Sequence, residues 1–193
     1  MLKYWLKGVI MKRKVAKEIL VDSFFELAET VPVGKIKIKD ITENCSYSPA
    51  TFYRQFRDKA DLILWAYQRD FEEITKKFGK AEENFEDLVL SFVMYFKEKK
   101  EYYSDILNSE KADELFIKPM YNFHFDLMKN HCQEKSDKKL SIETEMLLRA
   151  YSVGALSIIF DWLMGLWDTT PEEIAYTCIK AIPPDIIGIS EKY

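Results

Sequence analysis

Glycine and proline are scarce in this chain, six of each in 193 residues, which excludes a loop-rich β architecture and favours long helices. Cysteine is scarcer still. Cys45, Cys132 and Cys178 are odd in number, widely separated and form no C-x-x-C pair, which excludes a disulfide framework and points to reduced thiols in a cytoplasm. The longest uncharged apolar run lies between Arg149 and Asp161, well short of the about 20 residues a membrane span needs. The opening MLKYWLKGVIMKRK has neither the apolar h-region nor the cleavage site of a signal peptide. A cytoplasmic protein without a membrane segment is therefore expected, and Met11, followed by Lys-Arg-Lys, offers itself as an alternative start.

What is present is apolar and charged in proportions that build a core: 48% hydrophobic and 31% charged residues. The charge is unevenly spread. Residues 1–60 hold 12 Lys and Arg against 7 Asp and Glu, a net of +5, whereas residues 61–193 carry −9. A basic front joined to an acidic back suggests a polyanion-binding module attached to something else.

From Met11 to Val31, apolar residues at Ala16, Leu20, Phe24, Leu27 and Val31 mark one face of an amphipathic helix. Pro32 and Gly34 stop it. A second, two-turn helix is predicted over Lys37 to Asn44, with Ile38 and Ile41 facing inward and Asp40 in the first turn. After Cys45-Ser46-Tyr47, Ser48-Pro49 is a helix start, because serine is a preferred N-cap and proline suits the first helical position. Phe52 and Phe56 then face the core with Thr51, Arg54 and Gln55 outward, and Asp58 with Asp61 caps a fourth helix carrying Leu62, Trp65, Ala66, Phe71 and Ile74.

Two short helices joined by a few residues after a longer one make a helix-turn-helix, whose second member enters the DNA major groove. The residue types suit that position. Arg54 can bond guanine or phosphate, Thr51 and Tyr53 offer hydroxyls to phosphate, and Lys39 and Lys59 add charge, Lys59 at a helix N-terminus.

The run IKIKDITENCSYSPATFYRQFRDKADLI resembles the signature of TetR-family transcriptional regulators, with Ser48, Thr51, Phe52, Tyr53, Phe56, Lys59 and Leu62 in register. The resemblance implies an all-α fold. Residues 1–11 would be an N-terminal arm, 12–72 a helix-turn-helix DNA-binding domain, and 73–193 a helical domain for dimerisation and ligand binding. It also implies DNA contact at Lys39, Ser48, Pro49, Ala50, Thr51, Tyr53, Arg54 and Lys59. Two departures stand out: the turn position usually held by glycine is Ser46, and no hydroxyl residue caps the second helix, where Lys37 stands. Only glycine enters the left-handed region freely, so Ser46 implies modest strain or a different turn.

The remainder reads as further helices over Phe85 to Lys100, Tyr102 to Leu107, Leu115 to Cys132 and Ile142 to Trp167, with a last one opened by the Thr170-Pro171-Glu172-Glu173 cap. The segment YSVGALSIIFDWLMGLWDTTPEEIA resembles the dihydroxyacetone kinase regulator subgroup of the same family. Tyr151 to Leu166 is apolar and carries small residues at Ser152, Gly154, Ala155 and Ser157, which fits either homodimerisation through a four-helix bundle or burial within the subunit. A ligand pocket is expected among Phe92, Tyr95, Phe96, Tyr121, Phe125, Met128 and Trp162. His124 and His131 lack a closing ligand set, so neither a metal nor another cofactor is expected. Nor is catalysis, for the sequence shows no phosphate loop, nucleophile elbow or paired carboxylates in context. The expected partners are a double-stranded DNA operator, a second copy of the chain, and a small-molecule effector or protein partner. An all-helical adaptor acting through a partner protein is the alternative.

Overall fold

A computed structural model describes residues 15–78, 85–136 and 138–186. The described residues are helical, with no strand among them. The expected start at Met11 and the arm over 1–11 lie outside them. The first helix, α1 (Ala16–Ala28), ends three residues before Val31: the Thr30 and Val31 amides both turn back to the Leu27 carbonyl. It buries Leu20, Val21, Ser23 and Phe24.

The second helix, α2 (Ile38–Asn44), solves its missing hydroxyl cap from the other side, because the Asp40 carboxylate reaches back 2.8 Å to accept from the Lys37 amide. Buried Ser23 donates to the Ile41 carbonyl at 2.7 Å and accepts from Asn44 Nδ2, pinning α2 across α1. The helix α3 (Pro49–Gln55) begins where the Ser48 hydroxyl accepts from the Thr51 amide. Phe52 and Phe56 are fully buried, as is Leu62. Trp65, expected in the core, is half-buried, and its ring and that of Phe56 carry the Lys17 ammonium at 5.3 and 5.1 Å.

Asp58 and Asp61 form a reciprocal box at the start of α4 (Lys59–Phe78): Asp58 accepts from the Asp61 amide and Asp61 accepts from the Arg57 amide. This 20-residue helix joins the two halves of the chain. Early on it packs against α1, and further along against the C-terminal helices.

The two helices expected over Phe85 to Lys100 and Tyr102 to Leu107 are α5 (Phe85–Glu98) and α6 (Lys100–Leu107), parted at Lys99. A π-helical turn (Asp113–Ile117) leads directly into α7 (Lys118–Lys135), where Pro119 sits in the first turn, whose N–H groups have no partner within their own helix. The long α8 (Ile142–Leu163) stops four residues before Trp167 because Gly165 takes φ +83°. There the Leu166 amide bonds the Asp161 carbonyl and the Gly165 amide bonds the Trp162 carbonyl, a Schellman closure. The last described helix is α9 (Pro171–Lys180), which carries the expected Thr170–Glu173 capping box. It packs against α5 and α8.

The buried core runs from Leu20 and Phe24 through Phe96, Tyr103 and Phe116 to Phe160 and Ile174. By length and composition α8 is apolar enough to cross a membrane, and Leu156, Ile159, Phe160 and Leu163 on it pack into this core.

Candidate nucleic-acid interface

The turn before α3 is tight. Ser46 takes φ 59°, the left-handed conformation that glycine holds more easily, and its amide bonds the Glu43 carbonyl while the Tyr47 amide bonds that of Thr42. Serine therefore keeps the turn geometry at the cost of local strain. Its consequence is an α3 held at both ends, by the Ser48 cap at one and the buried Phe52–Phe56 pair at the other.

The outward face of α3 is polar and exposed. Ser48, Pro49, Ala50, Tyr53 and Arg54 are exposed and Thr51 is half-exposed. Tyr53 is 60% exposed, its ring edge against Phe52 at 5.6 Å. Arg54 Nη2 donates to the Thr51 hydroxyl at 3.2 Å, and that hydroxyl lies 3.1 Å from the Ser48 hydroxyl. One residue at each of three successive positions on the face is thus linked, with the guanidinium oriented before any ligand arrives. Lys39 on α2 is also exposed, 3.6 Å from Glu43.

Lys59 departs from expectation. A lysine at a helix N-terminus suggested a group reaching outward, but its ammonium turns inward to the loop between α1 and α2. It donates to the carbonyls of Val33 at 2.7 Å, Ile36 at 2.8 Å and Gly34 at 3.4 Å. All three N–H bonds have acceptors in the subunit. Burial lowers its pKa, the nearby Lys111 adds to that effect, and Asp40 partly opposes it.

The residues expected to form a ligand pocket divide between two hydrophobic clusters. Phe96 is buried and stacks with Tyr67, Phe92 stacks on Phe71 at 4.3 Å, and Tyr121 lies parallel to Phe160. Tyr95 belongs to a polar cluster instead, donating to Asp70 and bonding Tyr103 at 2.7 Å. Burial alone would raise the Asp70 carboxyl, but hydrogen bonds and charge from Lys99 and Arg69 outweigh it and hold the pKa below the usual value. Phe125 and Met128 pack in a separate cluster with Cys132 and Leu148, and Trp162 donates to the Thr169 carbonyl. His124 bonds Tyr67 while His131 is exposed, so the two imidazoles share no site. No group of three or more His, Cys, Asp or Glu that could hold a metal occurs among the described residues.

The geometry is that of a helix-turn-helix with a pre-oriented polar face, and comparison with known proteins agrees. Residues 83–183, just over half of the chain, match the TetR-type family described as transcriptional regulator C-terminal region. The HTH-type dhaKLM operon transcriptional activator DhaS of Lactococcus lactis is 22% identical over 77% of this chain and 79% of its own length. The HTH-type transcriptional regulator SAB2452 of Staphylococcus aureus is 22% identical over 78% of this chain and 83% of its own. Among solved structures, dihydroxyacetone kinase operon activator DhaS shares the fold with a TM-score of 0.54 at 18% identity, covering 90% of this chain and 97% of the other. The chain belongs to the TetR-type helix-turn-helix transcriptional regulators.

Proposed function

We propose that this regulator binds a double-stranded operator as a homodimer, with α3 in the major groove, and that an effector of the C-terminal half sets its DNA affinity. The observation that carries the DNA reading is the Ser48–Thr51–Arg54 chain on the exposed face of α3. Arg54 meets guanine edges or phosphate, Tyr53 and Ser48 donate hydroxyls to phosphate, and Pro49, Ala50 and Thr51 give the close approach and apolar contact that base edges accept. Lys39 supplies charge from α2. The DNA-binding domain spans residues 12–72 and the regulatory domain 73–193, acting in the cytoplasm without enzymatic activity.

The exposed surface of α8 and α9 supports dimerisation. Ala150 and Gly154 are exposed along α8, a Cβ at Gly154 would meet nothing within 4 Å, and Met146, Met164, Leu166 and Tyr176 are also exposed. Such a surface of small and apolar side chains supports close pairing with the same surface of a second copy. The effector is a small molecule or a protein partner, and it acts by changing the separation of the two α3 helices. A relative is named for activating an operon, which fits action at a promoter.

Footprinting on the intergenic DNA upstream of the gene tests this reading. The expected pattern is two protected half-sites about 10 base pairs apart or a multiple of that spacing. A single protected half-site would remove the dimer, and no protection at any sequence would remove the DNA reading.

A further inference from the structure

The loop between α1 and α2 is bonded from both sides at one residue. The side chain of Val33 is buried, and its amide donates 2.6 Å to Asp105 Oδ2 on the last turn of α6, in the C-terminal half. Its carbonyl accepts 2.7 Å from the ammonium of Lys59, the first residue of α4 and three residues beyond Phe56, where α3 ends. The same ammonium also takes the Gly34 and Ile36 carbonyls, so it gathers three carbonyls of one loop around a single charge. The loop is stiffened further by the Lys35 amide bonding the Pro32 carbonyl at 2.8 Å. Its approach to the chain following α6 is close, because a Cβ built on Gly34 would lie 3.4 Å from the Ser109 Cβ.

Charge-assisted hydrogen bonds of this length are short and directional. Two of them meeting on the two ends of one residue leave the loop little freedom to slide relative to either half. The recognition helix cannot tilt against α6 without stretching the Asp105 bond, the Lys59 bonds, or both.

We propose that Asp105 and Lys59 are positioning residues for operator binding, joined through Val33 so that a displacement of α6 is delivered to the α3–α4 corner. This rests on the reading of α3 as the DNA-binding helix. It gives Lys59 a role different from phosphate contact: the residue fixes where α3 stands and leaves the DNA to Arg54, Tyr53 and Thr51. It also gives the regulatory half a physical route to the DNA, since α6 packs against the π turn and α8 as well as carrying Asp105.

The test combines amide exchange at Val33 with operator binding at several salt concentrations for Asp105→Ala, Asp105→Asn and Lys59→Met. In Asp105→Ala the Val33 amide loses protection while those of Leu20 and Phe24 in α1 keep theirs, and operator affinity falls about five-fold or more, the scale of a coupling between sites. Asp105→Asn retains an acceptor oxygen and recovers most of both. Lys59→Met weakens binding with an unchanged slope of log affinity against log salt, because no phosphate contact is lost. A slope shallower by about one unit in Lys59→Met would make it a phosphate ligand and overturn the proposal. So would an Asp105→Ala protein with an unprotected Val33 amide and undiminished affinity. Wild-type protein that binds no duplex, yet shows the Val33 protection and its loss in Asp105→Ala, would sink the DNA reading itself and with it the positioning role.

Discussion

The hydroxyl of Tyr67 on α4 lies 2.8 Å from Nε2 of His124 on α7, inside the aromatic cluster formed with Phe71, Phe96 and Phe123. Burial pushes the His124 pKa down to about 4 from an ordinary 6.5. A histidine whose folded pKa is depressed contributes its full stability above pH 6.5 and loses it as pH falls toward 4, because the unfolded chain binds the proton first. The expected loss across that window is up to about 3 kcal/mol. Denaturant unfolding at pH 7, 5.5 and 4 checks it, and His124→Gln, which keeps a partner for Tyr67, should flatten the dependence. An equally steep dependence in that variant would assign the effect to other groups.

Ser46 stores strain that glycine would release. With φ at 59°, Ser46→Gly relieves left-handed backbone strain, offset in part by the greater freedom of glycine in the unfolded chain. A net gain of about 0.5 to 1 kcal/mol follows, measured by chemical denaturation, with operator affinity unchanged.

Gly154 separates the two fates of the α8 face. Within the subunit its position is open, so Gly154→Leu should leave the isolated chain folded and, by removing a mid-helix glycine, more stable by about 0.5 to 1 kcal/mol. In a dimer paired through α8, the added side chain holds the helices apart. Sedimentation should show the variant as a monomer where the wild type is a dimer. A Gly154→Leu dimer of wild-type affinity would place the subunit interface elsewhere.

Much of the N-terminal half was legible because its signals are local. The Ser48-Pro49 start, the Asp58–Asp61 box and the four-residue spacing of Phe52 and Phe56 each depend on neighbours within one helical turn, and each appears as expected. The inward orientation of Lys59 was not legible, for the converse reason. Its acceptors lie 23 to 26 residues away, and nothing in the surrounding motif distinguishes an ammonium turned toward a loop from one turned toward a phosphate. Asp105 carried no sequence signal at all, since its partner is a backbone amide 72 residues earlier. Aromatic side chains at helical spacing read alike whether they line a cavity or fill one; Phe92, Phe96 and Tyr121 pack ring against ring with Phe71, Tyr67 and Phe160 from other helices. The break between Phe85 to Lys100 and Tyr102 to Leu107 was legible to within two residues; its exact place at Lys99 was not, because no glycine or proline marks it and the ammonium's partners, Asp70 at 2.6 Å and the Phe25 and Tyr95 rings, come in part from other helices.

The central claim is that the exposed face of α3 reads DNA, and Arg54 is where it is most directly exposed to test. Fluorescence anisotropy with the upstream intergenic duplex and a scrambled duplex, titrated for wild type and Arg54→Ala, should give tight, salt-sensitive wild-type binding. The variant should lose about 1 to 3 kcal/mol and part of its preference for the intergenic sequence, while its thermal unfolding stays close to that of wild type. Equal affinity and equal preference in Arg54→Ala and wild type would contradict the account.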